Sequence, residues 1–232
     1  MKKFLTAEWR DLIMANYEVD RSLLASRLPG GTQLDLHEGR CFVSLVAFMF
    51  LDTRVMDILV PLHVNFEEVN LRFYVTREVN GETRRGVVFI KEIVPRTAIA
   101  WIARTVYGEP YERWTMSNER TNGRAAYSWK KGTCENALSV SHGANIGIPA
   151  EGSHGEFIIE HYWGYTKRDG HTDEYKVEHP KWDLFETSDV NIDVDFRGTY
   201  GDEFGFLANA SPYSLLFANG SNVSVYKGNR IL

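Results

Sequence analysis

The hydrophobic pattern changes period several times along the chain, and each change predicts an element. Residues 40–51 are apolar at both parities, with Phe42, Val46, Phe48 and Phe50 on one and Val43, Leu45, Ala47 and Met49 on the other. That predicts a strand buried on both faces. Residues 68–79 alternate instead: Val69, Leu71, Phe73 and Val75 share one face, and Asn70, Arg72, Tyr74 and Thr76 the other. One side of this strand meets a core and the other is polar. Asn80-Gly81 then predicts a hairpin into the apolar run at 86–93, across a connection, 80–85, longer than a two-residue turn. Asn122-Gly123 marks a second hairpin between 114–120 and 124–130, and 175–179 and 222–227 read as further strands.

Helical signals are fewer. Residues 7–12 place Trp9 among charges, after which Ile13, Met14 and Ala15 run extended into Asn16 and Tyr17. Asp20 is a suitable N-cap for a short helix over 21–28, ended by Pro29-Gly30-Gly31. Pro95 and Thr97 open a stretch whose Ile99, Ile102, Ala103 and Val106 form an apolar stripe ending at Gly108. Ser153 and Glu156 have capping-box spacing before Phe157, Ile158 and Ile159. Residues 142–155, rich in Gly and Ser, read as a long loop. No repeat, low-complexity tract or break in composition divides the chain, so 1–232 is predicted to be a single domain. Its class is mainly β (β-rich α+β): a curved, mostly antiparallel sheet with a few helices.

Composition removes several functions. The 26 basic and 31 acidic residues are mixed, with a net charge of −5 and no basic block, which argues against nucleic acid. The longest apolar run, 43–51, is too short to span a bilayer, and the start turns polar after five residues. No membrane partner is expected, and the cytoplasm is the expected location. Cys41 opens an apolar run and should be a buried thiol. There is no phosphate loop, no G-x-G-x-x-G and no nucleophile elbow. His142, His154, His161 and His171 fit no zinc spacing, so they are read as structural or surface residues, with no metal or cofactor expected.

Several segments together resemble the YqjF-like family of uncharacterised bacterial proteins, in the acetoacetate decarboxylase-like superfamily. They include Asn16-Tyr17-Glu-Val-Asp20, Leu28-Pro29-Gly30 with Leu34-Asp35, the strand 41–48, and Glu68-Val-Asn-Leu-Arg72-x-Tyr74-Val75. Gly86-Val-Val-Phe89, Ala103-Arg104 and Met116 follow, then His161-Tyr-Trp-Gly-Tyr165-Thr and Tyr175-x-Val177-x-His179-Pro-x-Trp182, and finally Gly220-Ser-x-Val-x-Val225. The resemblance covers nearly the whole chain. It implies a sheet closing into a cone-like barrel around an interior cavity. In the decarboxylases a cavity lysine forms a Schiff base with the keto acid, and a neighbouring lysine lowers its pKa. Their motif runs Arg, five residues, Pro, Lys, Lys. Here the frame is Arg104 to Pro110, followed by Tyr111 and Glu112, and no arginine stands near Tyr17-Glu18 where the family binds the substrate carboxylate. Schiff-base decarboxylation is therefore not expected. Lys91, within an apolar strand, is expected to point to solvent rather than replace the missing amine.

Two functional readings remain. In the first, Asn70, Arg72, Tyr74 and Arg104 bind a small carboxylate or keto/enol compound inside the cavity, with Tyr111, Glu112 and Glu68 as candidate catalytic groups. In the second, the polar strand face meets solvent, Arg104 pairs with Glu68 or Glu112 as scaffold, and the chain is a non-catalytic module. That module would act as a homo-oligomer or through a partner surface. Trp163 and Trp182, flanked by polar residues, are the tryptophans expected to be exposed.

Overall fold

The structure is a computed structural model that describes residues 2–59, 64–95, 108–168 and 170–231. The predicted apolar stripe at 99–106, and Arg104 with it, lie outside the described residues. The strands are β1 (Lys3–Val19), β2 (Gln33–Leu34), β3 (Cys41–Val55), β4 (Ile58–Leu59), β5 (Phe66–Val79), β6 (Glu82–Val94), β7 (Tyr111–Arg113) and β8 (Thr115–Thr121). After them come β9 (Arg124–Lys131), β10 (Cys134–Gly147), β11 (Trp163–Arg168), β12 (His171–Glu178), β13 (Leu184–Asp193), β14 (Ser214–Tyr226) and β15 (Asn229–Arg230). All belong to one sheet.

The central path runs β12-β11-β6-β5-β3-β1-β14, and β14 pairs back onto β12 through Val177 with Val225 and Glu178 with Ser224. The sheet thus closes into a ring, in keeping with the cone-like architecture expected. β13, β10, β9 and β8 continue outward from β14. Within the ring the β6–β11 pairing is parallel, and Gly86 makes it possible. A Cβ on Gly86 would sit 2.7 Å from the Trp163 carbonyl oxygen, so any larger residue would push β11 away.

Closure gives the sheet two buried sides. Outside the ring, Val43, Leu45, Leu71 and Phe73 pack with Tyr127, Trp129 and Leu138 of the outer strands. Phe196, Tyr200, Phe204 and Leu207, from the short helix Phe196–Tyr200 and the 3-10 helix Asp202–Asn209, belong to the same core. Inside it, Phe42, Val46, Phe48 and Phe50 of β3 meet Leu12, Met14, Phe66 and Trp182. The doubly apolar strand at 40–51 is accounted for in this way: each parity serves a different core.

Two bulges reset the alternation. In β1 the register shifts between Arg10 and Ile13, at Asp11 with φ 54°, so interior Trp9 is followed by interior Leu12. In β6, Leu71 pairs with Lys91 and Arg72 with Phe89, leaving Ile90 as the extra residue. Val87 and Phe89 face the ring interior before the bulge, and Glu92 and Val94 after it.

Several expectations change. The β5–β6 turn has only two residues, Asn80 (φ 53°) and Gly81 (φ 82°), because β6 starts at Glu82 rather than at 86. The polar run 82–85 had disguised it as loop. Residues 142–147 are not loop but the end of β10, where His142 stacks on Phe217 at 4.1 Å. The helix expected over 21–28 is limited to Ser22–Ala25, with Asp20 accepting from the Ser22 amide at 2.8 Å. The short helix starts where expected, with Ser153 as N-cap: its Oγ accepts from the Glu156 amide, and Glu156 accepts from the amide of Gly152, one residue before the cap. Cys41 is buried, as predicted, and burial pushes its thiol up to about 11. Among the described residues no helix is long and apolar enough to cross a membrane.

Candidate functional site

The ring interior holds a pocket of about 110 Å³ whose walls come from β1, β3, β5, β6, β7, β11, β12 and β14. One end is aromatic. Trp9 meets Phe48 edge-on at 5.2 Å and Trp182 at 6.3 Å, and Trp182 stacks on His179 at 4.1 Å. Trp182 is only 5% exposed and Trp163 lines the pocket too, so neither is the surface tryptophan expected. Polar flanking residues misled because a residue's neighbours in sequence need not share the side of the chain that it faces.

The other end is polar. Alternation along β5 sends Glu68, Asn70 and Arg72 inward, and the bulge in β6 adds Glu92 beside them. Of the alternating polar face, Asn70 and Arg72 line the pocket together with Glu68, while Thr76 lies outside its lining and is half-buried. β7 pairs in parallel with β6, opposing Tyr111 to Glu92 and Glu112 to Ile93. Tyr111 Oη donates to Glu68 Oε2 at 2.9 Å, and Asn70 Nδ2 donates to Glu68 Oε1 at 3.0 Å. Glu109, just before Pro110, completes a trio of buried carboxyls and accepts from Thr166 Oγ1 at 2.7 Å.

Burial dominates the electrostatics. It raises Glu68 to about 7 against the opposing pull of Asn70, Tyr111 and Arg72. It raises Glu109 to about 8 and holds Glu92 well above the carboxylate range, where the nearby Glu109 and Glu68 add to the shift. Among the described residues, Glu92 Oε2 and Asn70 Oδ1 have no hydrogen-bond partner. Arg72 donates through Nη2 to the Ile158 carbonyl at 3.3 Å, while its buried Nε is likewise unpartnered.

Two sequence candidates are elsewhere. Glu112 points to the opposite side of β7, where it meets Lys91 Nζ and Lys131 Nζ at 2.9 Å each and accepts from Trp114 Nε1. Those partners overcome partial burial and hold it down at about 2. Lys91 is thereby occupied outside the pocket, but in an ion pair with its side chain 22% exposed and not free in solvent as expected. Tyr74 shares the inner face but lies beyond the pocket lining, its hydroxyl 2.6 Å from Ser44 Oγ in a chain that continues to Asn16. Glu92, Glu109 and His161 escaped sequence reasoning. Glu92 carried a readable signal, a carboxyl inside an apolar strand, but the bulge that turns it inward leaves no mark in the sequence pattern. His161 is 7% exposed and lines the pocket, with Nε2 3.0 Å from Asp35 Oδ2. Asp35 also accepts from Arg85 Nε at 2.8 Å. Burial lowers His161 to about 4, so at neutral pH its contact is a hydrogen bond and Arg85 alone is the counter-charge of Asp35.

A closed ring with an interior polar pocket, and a Pro-x-x segment at the edge of β6, define an acetoacetate decarboxylase-like fold. Acetoacetate decarboxylase from Legionella pneumophila superposes with a TM-score of 0.68 at 12% identity, covering 100% of this chain and 88% of that one. The enduracididine biosynthesis enzyme MppR, complexed with pyruvate, gives 0.69 at 13% identity, covering 99% and 91%. Residues 6–222 match the family model DUF2071, described as an uncharacterized conserved protein, and the chain belongs to that family. The uncharacterized protein YqjF of Bacillus subtilis is 25% identical over 219 residues, 93% of this chain and 87% of YqjF.

Proposed function

We propose that the chain binds a small organic acid or keto/enol compound in this pocket without iminium chemistry. The ligand's apolar body packs on Trp9, Phe48 and Trp182, and its oxygens meet Arg72. The supporting observation is Arg72 itself: among the described pocket-lining residues it is the one Arg or Lys, and its Nε has no hydrogen-bond partner among the described residues. A guanidinium in such a setting suits a carboxylate or enolate. Three ionised carboxylates would repel an anion, but burial raises Glu68 to about 7 and Glu109 to about 8 and holds Glu92 well above the usual range, so below pH 7 protonated carboxyls are available as donors to it. Tyr111 stands where the decarboxylase motif has its first lysine, and a phenol cannot condense with a carbonyl. MppR, with the same fold, has been solved with pyruvate. Arg104 joins this reading as an anchor proposed from the sequence alone.

A thermal-shift panel of keto, hydroxy and aromatic acids at pH 6.5 tests the reading. Saturable stabilisation by one chemotype is expected, about 5–10 °C at a hundredfold excess over Kd. Arg72→Ala should abolish it and still fold. No response to any acid, or an undiminished one in Arg72→Ala, would refute the proposal. A second reading, self-association, draws on exposed Met56, Ile58 and Leu59 near the β3–β4 turn. A mass that grows with concentration in light scattering would support it.

A further inference from the structure

His161 and Asp35 are built as a pair. The Asp35 amide donates to the Tyr74 carbonyl at 3.0 Å, tying it to β5, and its Oδ2 accepts from both Arg85 Nε and His161 Nε2. The imidazole is clamped between Tyr74, at 4.7 Å between ring centroids, and Phe157 at 5.3 Å. With Nε2–H given to Asp35, the tautomer is set and Nδ1 keeps its lone pair. Nδ1 has no hydrogen-bond partner among the described residues, although the side chain is only 1% exposed. A buried acceptor left bare is destabilising, which a ligand bearing an acidic hydrogen would relieve. The same pocket offers an unpartnered guanidinium N–H on Arg72 and, on Glu68, a carboxyl held by Tyr111 and Asn70. A base fixed in one tautomer, a cation and an acid are the three groups needed to move a proton from carbon to oxygen.

We propose that the pocket is a keto–enol isomerisation site in which His161, positioned by Asp35, removes the proton from the carbon next to the ligand's carbonyl. The proposal rests on the reading that a keto or enol acid occupies the pocket. The C–H bond breaks, its proton goes to Nδ1, and its electron pair forms the new C=C bond. The carbonyl π pair moves to oxygen, where Arg72 balances the charge and the Glu68 carboxyl delivers a proton. Proton exchange with water then restores neutral His161 and protonated Glu68, and nothing is oxidised or reduced.

The experiment follows hydrogen–deuterium exchange at the carbon beside the carbonyl of pyruvate, 2-oxobutyrate, phenylpyruvate and acetoacetate by NMR in D₂O. Wild type should exchange at least one of them well above the buffer rate. His161→Gln should slow this by about 10²–10⁴-fold while stabilisation by the same acid persists. Asp35→Asn should lower the turnover rate with affinity unchanged, which a purely structural role would not do. It also carries the test if His161→Gln fails to fold. An acid that stabilises the protein but exchanges no faster than in buffer overturns the isomerase and leaves binding intact. Undiminished exchange in both variants overturns it too. If no acid stabilises the protein, the binding reading falls and the isomerase with it.

Discussion

The two faces of β5 are buried alike and made of opposite materials. Outward, Val69, Leu71 and Phe73 are fully buried among aliphatic and aromatic side chains of the outer core. Inward, Glu68 and Asn70 are each 2% exposed, yet they carry a raised carboxyl and an amide oxygen without a donor. The first face lowers the free energy of the fold through apolar burial. The second raises it, since polar groups have left water without full compensation. A strand selected for stability alone would be apolar on both faces, as β3 is. The inner face of β5 is therefore where the fold gives up stability, which fits the binding role proposed for the pocket.

The largest way to break this comparison is Phe73→Ala, which should cost about 3–5 kcal/mol in urea unfolding. A loss below about 1 kcal/mol would mean the outer face is not the stabilising one. The inner face is probed by pH. Burial raises Glu68 to about 7 and Glu109 to about 8 when folded, and holds Glu92 well above the 4.5 usual for a glutamate. Above about pH 4.5 the native state thus holds more protons than the unfolded chain, and stability falls as pH rises through the folded values. His154, His161 and His179, lowered to about 4, work in the opposite sense, but only up to their usual 6.5. From pH 6.5 to 8.5 the carboxyls act unopposed by these histidines, so the urea midpoint should decline, and Glu68→Gln should flatten the decline. A midpoint that rises over this range would contradict the assignment. The smallest effect belongs to the ion pair outside the pocket: Lys91→Met should change stability by less than about 1 kcal/mol and leave ligand-induced stabilisation untouched.

Much of this was legible in the sequence. The alternation in β5 identified Glu68, Asn70 and Arg72 as one face, and the resemblance implied that such a face surrounds a cavity. Tyr111 was located by its place after Pro110, and its inward direction follows from pairing with Glu92. Glu112 was misassigned because adjacent residues on a strand point oppositely, so only one of the two positions after Pro110 can face the pocket. Tyr74 was misassigned because a shared face does not fix depth along it. His161 was passed over because its partner lies 126 residues away, and no spacing rule reaches that far.

The extra residue at Ile90 has a consequence for comparing relatives. If β6 were aligned as an unbroken strand, residues 87, 89 and 91 would fall on one side and Lys91 would be scored as an interior amine. The insertion instead delivers Glu92. In this family a gap of one position within β6 would therefore carry as much chemical information as a substitution. A homologue shorter by one residue there could retain the same interior carboxyl with no bulge at all.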